Sequence, residues 1–144
     1  MSAARCGACA ANAVSTAALN VLAVALGGAT GAVARYWVSS ALYKHFGSDF
    51  PYGTLGVNVL GSLLMGALFV VITERPLPDV WRLALAVGLF GAFTTFSTFS
   101  IDTFTLIEQG HVVRALANVL ASVVLCLLAV FAGVALARTV LATS

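Results

Sequence analysis

The sequence predicts an all-α membrane protein with four transmembrane helices, the third of them broken. Of its 144 residues, 61% are hydrophobic and 8% are Asp, Glu, Lys or Arg, against about 45–50% and 25% in ordinary soluble domains. Mean hydropathy is +1.06. The few charges separate uncharged runs at residues 6–34, 50–73, 83–101 and 115–137, which hold 29, 24, 19 and 23 residues. A helix rising about 1.5 Å per residue needs roughly 20 of them to cross about 30 Å of hydrocarbon. Finally, the third run carries more hydroxyls than one helix face can hide. With seven basic residues, five acidic residues and a net charge of +2, no basic surface is available to neutralise many phosphates, so nucleic-acid binding is excluded as a main function. Three cysteines without a polar ectodomain make no disulfide framework.

The spans are placed at about 17–41, 52–73, 82–101 and 114–138 of one membrane domain over 17–144, with residues 1–16 a disordered or frayed extension. That Ala-rich start, with Arg5, can be mistaken for a signal peptide. Cleavage after Leu26 would destroy the first span, so an uncleaved first helix is the simpler reading. Cys6 and Cys9 are half of a metal-site pattern with no second pair nearby.

In the first span Ala23, Gly27, Gly31 and Arg35 recur every four residues, a stripe of small residues that lets another backbone approach closely. Arg35, at its end, has a structural role and snorkels to the interface. In the second, Thr54, Asn58, Ser62 and Gly66 share one face. An unpaired amide in hydrocarbon costs several kcal/mol, so Asn58 needs a partner helix or a hydrated path. The fourth span has a matching stripe of Asn118, Ser122 and Cys126, beginning one turn after Arg114. Two such stripes line a conduit or serve as hydrogen-bonding glue between helices, and these two spans alone do not decide.

The third span does. It reads Gly88-Leu-Phe-Gly-Ala-Phe-Thr-Thr-Phe-Ser-Thr-Phe-Ser100, in which Thr95-Phe96-Ser97 is repeated as Thr98-Phe99-Ser100. Steps of about 100° per residue spread these hydroxyls around the circumference. The helix is therefore expected to be buried, broken or both, with Gly88 and Gly91 beside threonines favouring a break. Irregular backbone at membrane depth is tolerated only where protein or a cavity covers it, and its freed carbonyls are cation ligands. Phe93, Phe96 and Phe99 are spaced by three. Such a stripe is usually packing, yet aromatic ring edges carry positive partial charge, and two edges beside hydroxyls and an amide NH₂ can hold a small anion without a fixed cation. Weak attraction suits conduction, which needs binding and release to be equally easy.

Orientation is poorly specified. An even number of spans puts Arg5, Arg75, Arg82 and Arg138 on one side and Arg35, Lys44 and Arg114 on the other. Four against three is hardly an excess, which predicts insertion both ways; if Arg35 and Arg114 lie within the membrane boundary, the bias becomes four to one.

These residues resemble the small CrcB/Fluc fluoride channels of microbes. The resemblance rests on Gly27-Gly-Ala-Thr-Gly-Ala32 leading to Arg35, on Gly53-Thr-Leu55 with Asn58 and Gly61, and on Gly88 to Ser100, and it covers residues 19–141. It implies an antiparallel dual-topology homodimer in the bacterial inner (plasma) membrane, with two pores for passive fluoride export, fluoride and lipid being its other partners. By position it implies Asn58 as a fluoride donor, Phe96 and Phe99 as pore rings supplied by opposite subunits, and Ser122 as a pore-lining hydroxyl. Thr54, Thr98, Asp102 and Asn118 fall on a polar track. A structural Na⁺ on the dimer axis is implied at the carbonyls of Gly91 and Thr94. Three departures stand out: Ala92 replaces a frequent second glycine, leaving the backbone less free for positive φ; Asp102 replaces the more usual Glu; Asn118 and Cys126 occupy variable track positions.

A proton-coupled multidrug exporter of the small dual-topology type is the nearest rival. It needs a titrating carboxylate inside a span, and the first, second and fourth have none, while Asp102 lies at the end of the third. A membrane enzyme lacks clustered nucleophile, base and orienter, and a non-transporting assembly protein is the remaining alternative.

Overall fold

A computed structural model describes residues 3–143, with side chains from Ser15 onward. Of residues 1–16, expected to be disordered or frayed, the first two lie outside the described residues and the backbone of 3–16 continues the first helix; the expectation for Cys6 and Cys9 falls on side chains outside those described. Helix α1 (Ala3–Phe46) is followed by α2 (Tyr52–Glu74). The third span comprises α3 (Asp79–Arg82), a π-helical segment (Leu83–Phe90), α4 (Gly91–Phe93) and, after two extended residues, α5 (Phe96–Glu108); α6 (Val112–Ala142) completes the chain. Four stretches are long and apolar enough to cross a membrane: Ser15–Phe46, Tyr52–Glu74, Asp79–Glu108 and Val112–Ala142. Each reaches beyond the expected span at one end or both: the first helix continues through Tyr43 and Lys44, and the third span through Thr105 to Glu108.

Glycines close two of the helices at short connections. Gly47 and Gly110 take φ of +84° and +78°, the left-handed conformation in which a residue after a helix reaches back to its last carbonyls. Gly47 N–H accordingly donates to Tyr43 O at 2.9 Å and His111 N–H to Leu106 O at 2.8 Å. Pro78 precedes α3, where Arg82 pairs with Asp79 at 3.0 Å on the surface.

Close backbone contact between helices decides the packing. The small-residue stripe of α1 lies on the π-helical segment: a Cβ added at Gly27 or Gly31 would collide with the carbonyls of Ala84 or Leu89. Gly88 faces back, and a Cβ there would stand 2.8 Å from Val24 O. Gly66 and Gly133 play the same part between α2 and α6, against Val130 and Leu63. Without a hydrophobic driving force between helices in lipid, such close packing is what holds them. Gly31→Val is expected to lower stability by about 3 kcal/mol, the upper end of overpacking costs; unchanged thermal unfolding in detergent would refute this contact.

The third span breaks near its middle, as expected, but not where the glycines stand. Thr94 (φ −81°, ψ 156°) and Thr95 (φ −150°, ψ 114°) are extended, whereas Gly91 is helical (φ −63°, ψ −36°). Among the described residues only Gly47 and Gly110 have positive φ, so Ala92 imposes no strain. Gly61 of α2 makes room for the break, because a Cβ there would strike the Thr94 methyl.

Candidate functional site: two grooves meeting at a helix break

A helix that stops inside a membrane leaves carbonyls at one end and N–H groups at the other without partners. Here α2 supplies them. Thr95 N–H donates to Asn58 Oδ1 at 2.8 Å, and Asn58 Nδ2 donates to Thr95 O at 3.0 Å. The amide thus pairs with both backbone groups of one residue, as a neighbouring strand would. Its orientation follows from the chemistry, since a backbone N–H pairs only with the amide oxygen. The second Nδ2 hydrogen remains available.

Thr95 also caps α5. Its Oγ1 accepts from Thr98 N at 3.2 Å and donates to Thr98 Oγ1 at 2.9 Å. On the other side of the break, Thr94 N–H and Thr94 Oγ1 both donate to Phe90 O, at 3.1 and 3.0 Å. With Thr95 N–H turned to Asn58, the Gly91 carbonyl loses its helical donor.

Beside the break opens a groove of about 460 Å³ whose lining includes Asn58, Phe96, Phe99 and Ser122. All four expected pore residues are brought together, from α2, α5 and α6. Phe96 and Phe99 stand with centroids 5.4 Å apart and planes tilted by 47°. Phe96 is 79% exposed, so its ring is left uncovered by the rest of the chain. Ser122 is buried and its Oγ has no hydrogen-bond partner.

A second groove, of about 280 Å³, is lined by Arg35, Tyr36, Ser39, Thr54 and Thr98 among others. Thr95 lines both grooves. Arg35 is half-buried there among hydroxyls. Thr54 Oγ1 donates to Asp102 Oδ2 at 2.6 Å, and Tyr43 OH lies 3.4 Å from Thr54 Oγ1. Because the Thr54 proton is already committed, Tyr43 is the donor to Thr54. Asp102 in turn lines a third groove of about 240 Å³ with Tyr43, Asp49, His111 and Arg114. Of the expected polar track, Thr54, Thr98 and Asp102 are therefore contiguous. Asn118 lines none of the three grooves: it is 1% exposed and donates to Thr103 Oγ1 at 2.8 Å.

Sequence reasoning missed Thr95, Thr103 and Tyr43. Only Thr95 had a visible signal, a threonine three residues before Thr98 at the start of a helix, which is capping spacing.

The family model described as CrcB-like protein, Camphor Resistance (CrcB), matches residues 22–134. The fluoride-specific ion channel FluC of Methylococcus capsulatus is 55% identical over 121 residues, covering 83% of this chain and 53% of that protein. FluC of Coxiella burnetii is 51% identical over 122 residues, covering 83% of this chain and 98% of the relative. FluC of Magnetococcus marinus is 51% identical over 118 residues, covering 81% and 96%. The chain thus spans about half the Methylococcus protein and nearly all of the other two. Four membrane-length helices and such relatives make it a multi-pass bacterial membrane protein. With a glycine-packed first helix, an amide-clamped break in the third and a match over residues 22–134, the chain belongs to the CrcB family.

Proposed function

We propose that this protein is a fluoride-selective passive channel that exports fluoride across the inner membrane, and is not an enzyme. The observation that carries this is the single groove holding the Asn58 amide, the Phe96 and Phe99 rings and the unpartnered Ser122 hydroxyl. An anion there meets the amide N–H and positive ring edges, with the Ser122 hydroxyl in the wall and no cationic side chain, a combination that attracts without trapping. The relatives bear the name fluoride-specific ion channel, and the multidrug-exporter reading gains no support from them.

The working unit is an antiparallel homodimer of dual topology. Support comes from the near-balance of Lys and Arg across the membrane and from the exposed Phe96 ring, which a second copy would cover to close the groove. Sodium is the implied structural ion, and the residues fit it: the Gly91 carbonyl is relieved of its helical donor, Thr94 is extended, and unwound backbone carbonyls are suitable ligands for Na⁺. Gly91 and Thr94 of two copies would hold it, and bound Na⁺ would supply a fixed positive charge favouring anions.

The test is efflux from liposomes loaded with fluoride or chloride, followed by ion-selective electrode, with a potassium ionophore to relieve charge build-up. Ionophore-dependent fluoride efflux without chloride efflux is expected, and C-terminal reporters of both compartments should both label. Absence of fluoride flux from dimeric protein would overturn the channel, and one-sided labelling the dual topology.

A further inference from the structure

Phe96 and Phe99 are treated differently by the fold. Each has its carbonyl bonded by a hydroxyl one turn on: Ser100 Oγ donates to Phe96 O at 2.9 Å, and Thr103 Oγ1 donates to Phe99 O at 2.8 Å. Only the second is gripped from another helix. Asn118 Nδ2, on α6, donates to that same Thr103 Oγ1 at 2.8 Å. A threonine hydroxyl has one proton and two lone pairs, so the direction is fixed: amide to hydroxyl to Phe99 carbonyl. Asn118 is among the most buried side chains in the described protein, and it stands one turn before Ser122 on the same face of α6.

We propose that Asn118 and Thr103 are positioning residues that set the Phe99 ring against the Ser122 wall of the groove, without touching the ion themselves. This rests on the channel reading above. The relay joins the two helices that form these walls: α6 carries Asn118 and Ser122, and α5 carries Thr103 and Phe99. A hydroxyl bonded to the carbonyl four residues back tends to bend its helix, and an amide that pulls on that hydroxyl polarises and fixes the bond. Single interhelical hydrogen bonds add little to membrane-protein stability, so the geometry they impose is the larger effect. Phe96 has no such tie among the described residues and is free to meet a ring from elsewhere, whereas Phe99 is held.

The experiment uses the full chain with Asn118→Leu, Thr103→Val, the pair together, and Thr103→Ser. In reconstituted liposomes each of the first two is expected to slow fluoride efflux at saturating fluoride by about tenfold. The pair should be no slower than Thr103→Val alone, because both cut one relay, and Thr103→Ser should recover flux near the unsubstituted chain. Independently of flux, the chain labelled with 4-fluorophenylalanine should show its Phe99 ¹⁹F resonance displaced by Asn118→Leu, and by more than that of the adjoining Phe96. That spectrum is read in detergent without fluoride, so it decides the relay even where the channel reading fails. If Asn118→Leu does not accumulate folded, Thr103→Val cuts the same link from the other end. An unmoved Phe99 resonance, additive losses in the pair, or a Thr103→Ser chain as slow as Thr103→Val would each overturn the proposal.

Discussion

Replacing Asn58 with Asp is expected to abolish fluoride flux and to destabilise the chain at the same time. The substitution keeps size and the oxygen that accepts from Thr95 N–H. It replaces the NH₂ that donates to Thr95 O with a second oxygen, so two acceptors face each other and a negative charge looks into the groove where an anion should pass. Leaving a buried partner unsatisfied costs about 1–3 kcal/mol, and Asn58→Ala, which orphans both Thr95 groups, should cost about twice that. Flux assays and thermal unfolding together separate the two roles. Unimpaired flux in Asn58→Asp would refute the amide as part of the path, and unimpaired melting of Asn58→Ala would refute it as the clamp of the break.

Phe96→Ile and Phe99→Ile have the opposite signature. Apolar bulk is roughly kept and the positive ring edge is lost. Phe96 is mostly exposed in the single chain, and an aromatic pair such as Phe96–Phe99 is worth about 0.5–1.5 kcal/mol beyond its area, so unfolding should shift little. Losing about 1.4 kcal/mol of attraction at the limiting point of the path slows passage about tenfold, and flux should fall at least that far. Equal melting with equal flux would reduce both rings to packing.

Much of this was legible in the sequence because lipid leaves few options. Uncharged runs marked the four spans, Gly27 and Gly31 marked a close helix contact, and the hydroxyls from Thr94 to Ser100 pointed to a span that is buried, broken or both. The position of that break was not legible. The glycines suggested Gly88 or Gly91, but they serve packing on α1 and a helical turn, and the chain opens three residues later where Asn58 offers both a donor and an acceptor. That choice depends on a residue 37 positions away, which no local propensity records. The π-helical stretch over Leu83–Phe90, which packs against α1, was equally invisible. For Asn118, residue type and spacing marked a polar stripe but could not tell a lumen from a buried hydrogen bond.

The break also rearranges charge along the span. Peptide dipoles in an unbroken helix cancel everywhere except at its two ends, leaving partial charge of roughly half an electron at each. Interrupting the series at Thr94 and Thr95 creates two further ends in mid-membrane, the negative one on the α4 side and the positive one at the start of α5. One neutral stretch of backbone thereby carries adjoining poles of opposite sign, at a depth where an ionised side chain would be costly to insert.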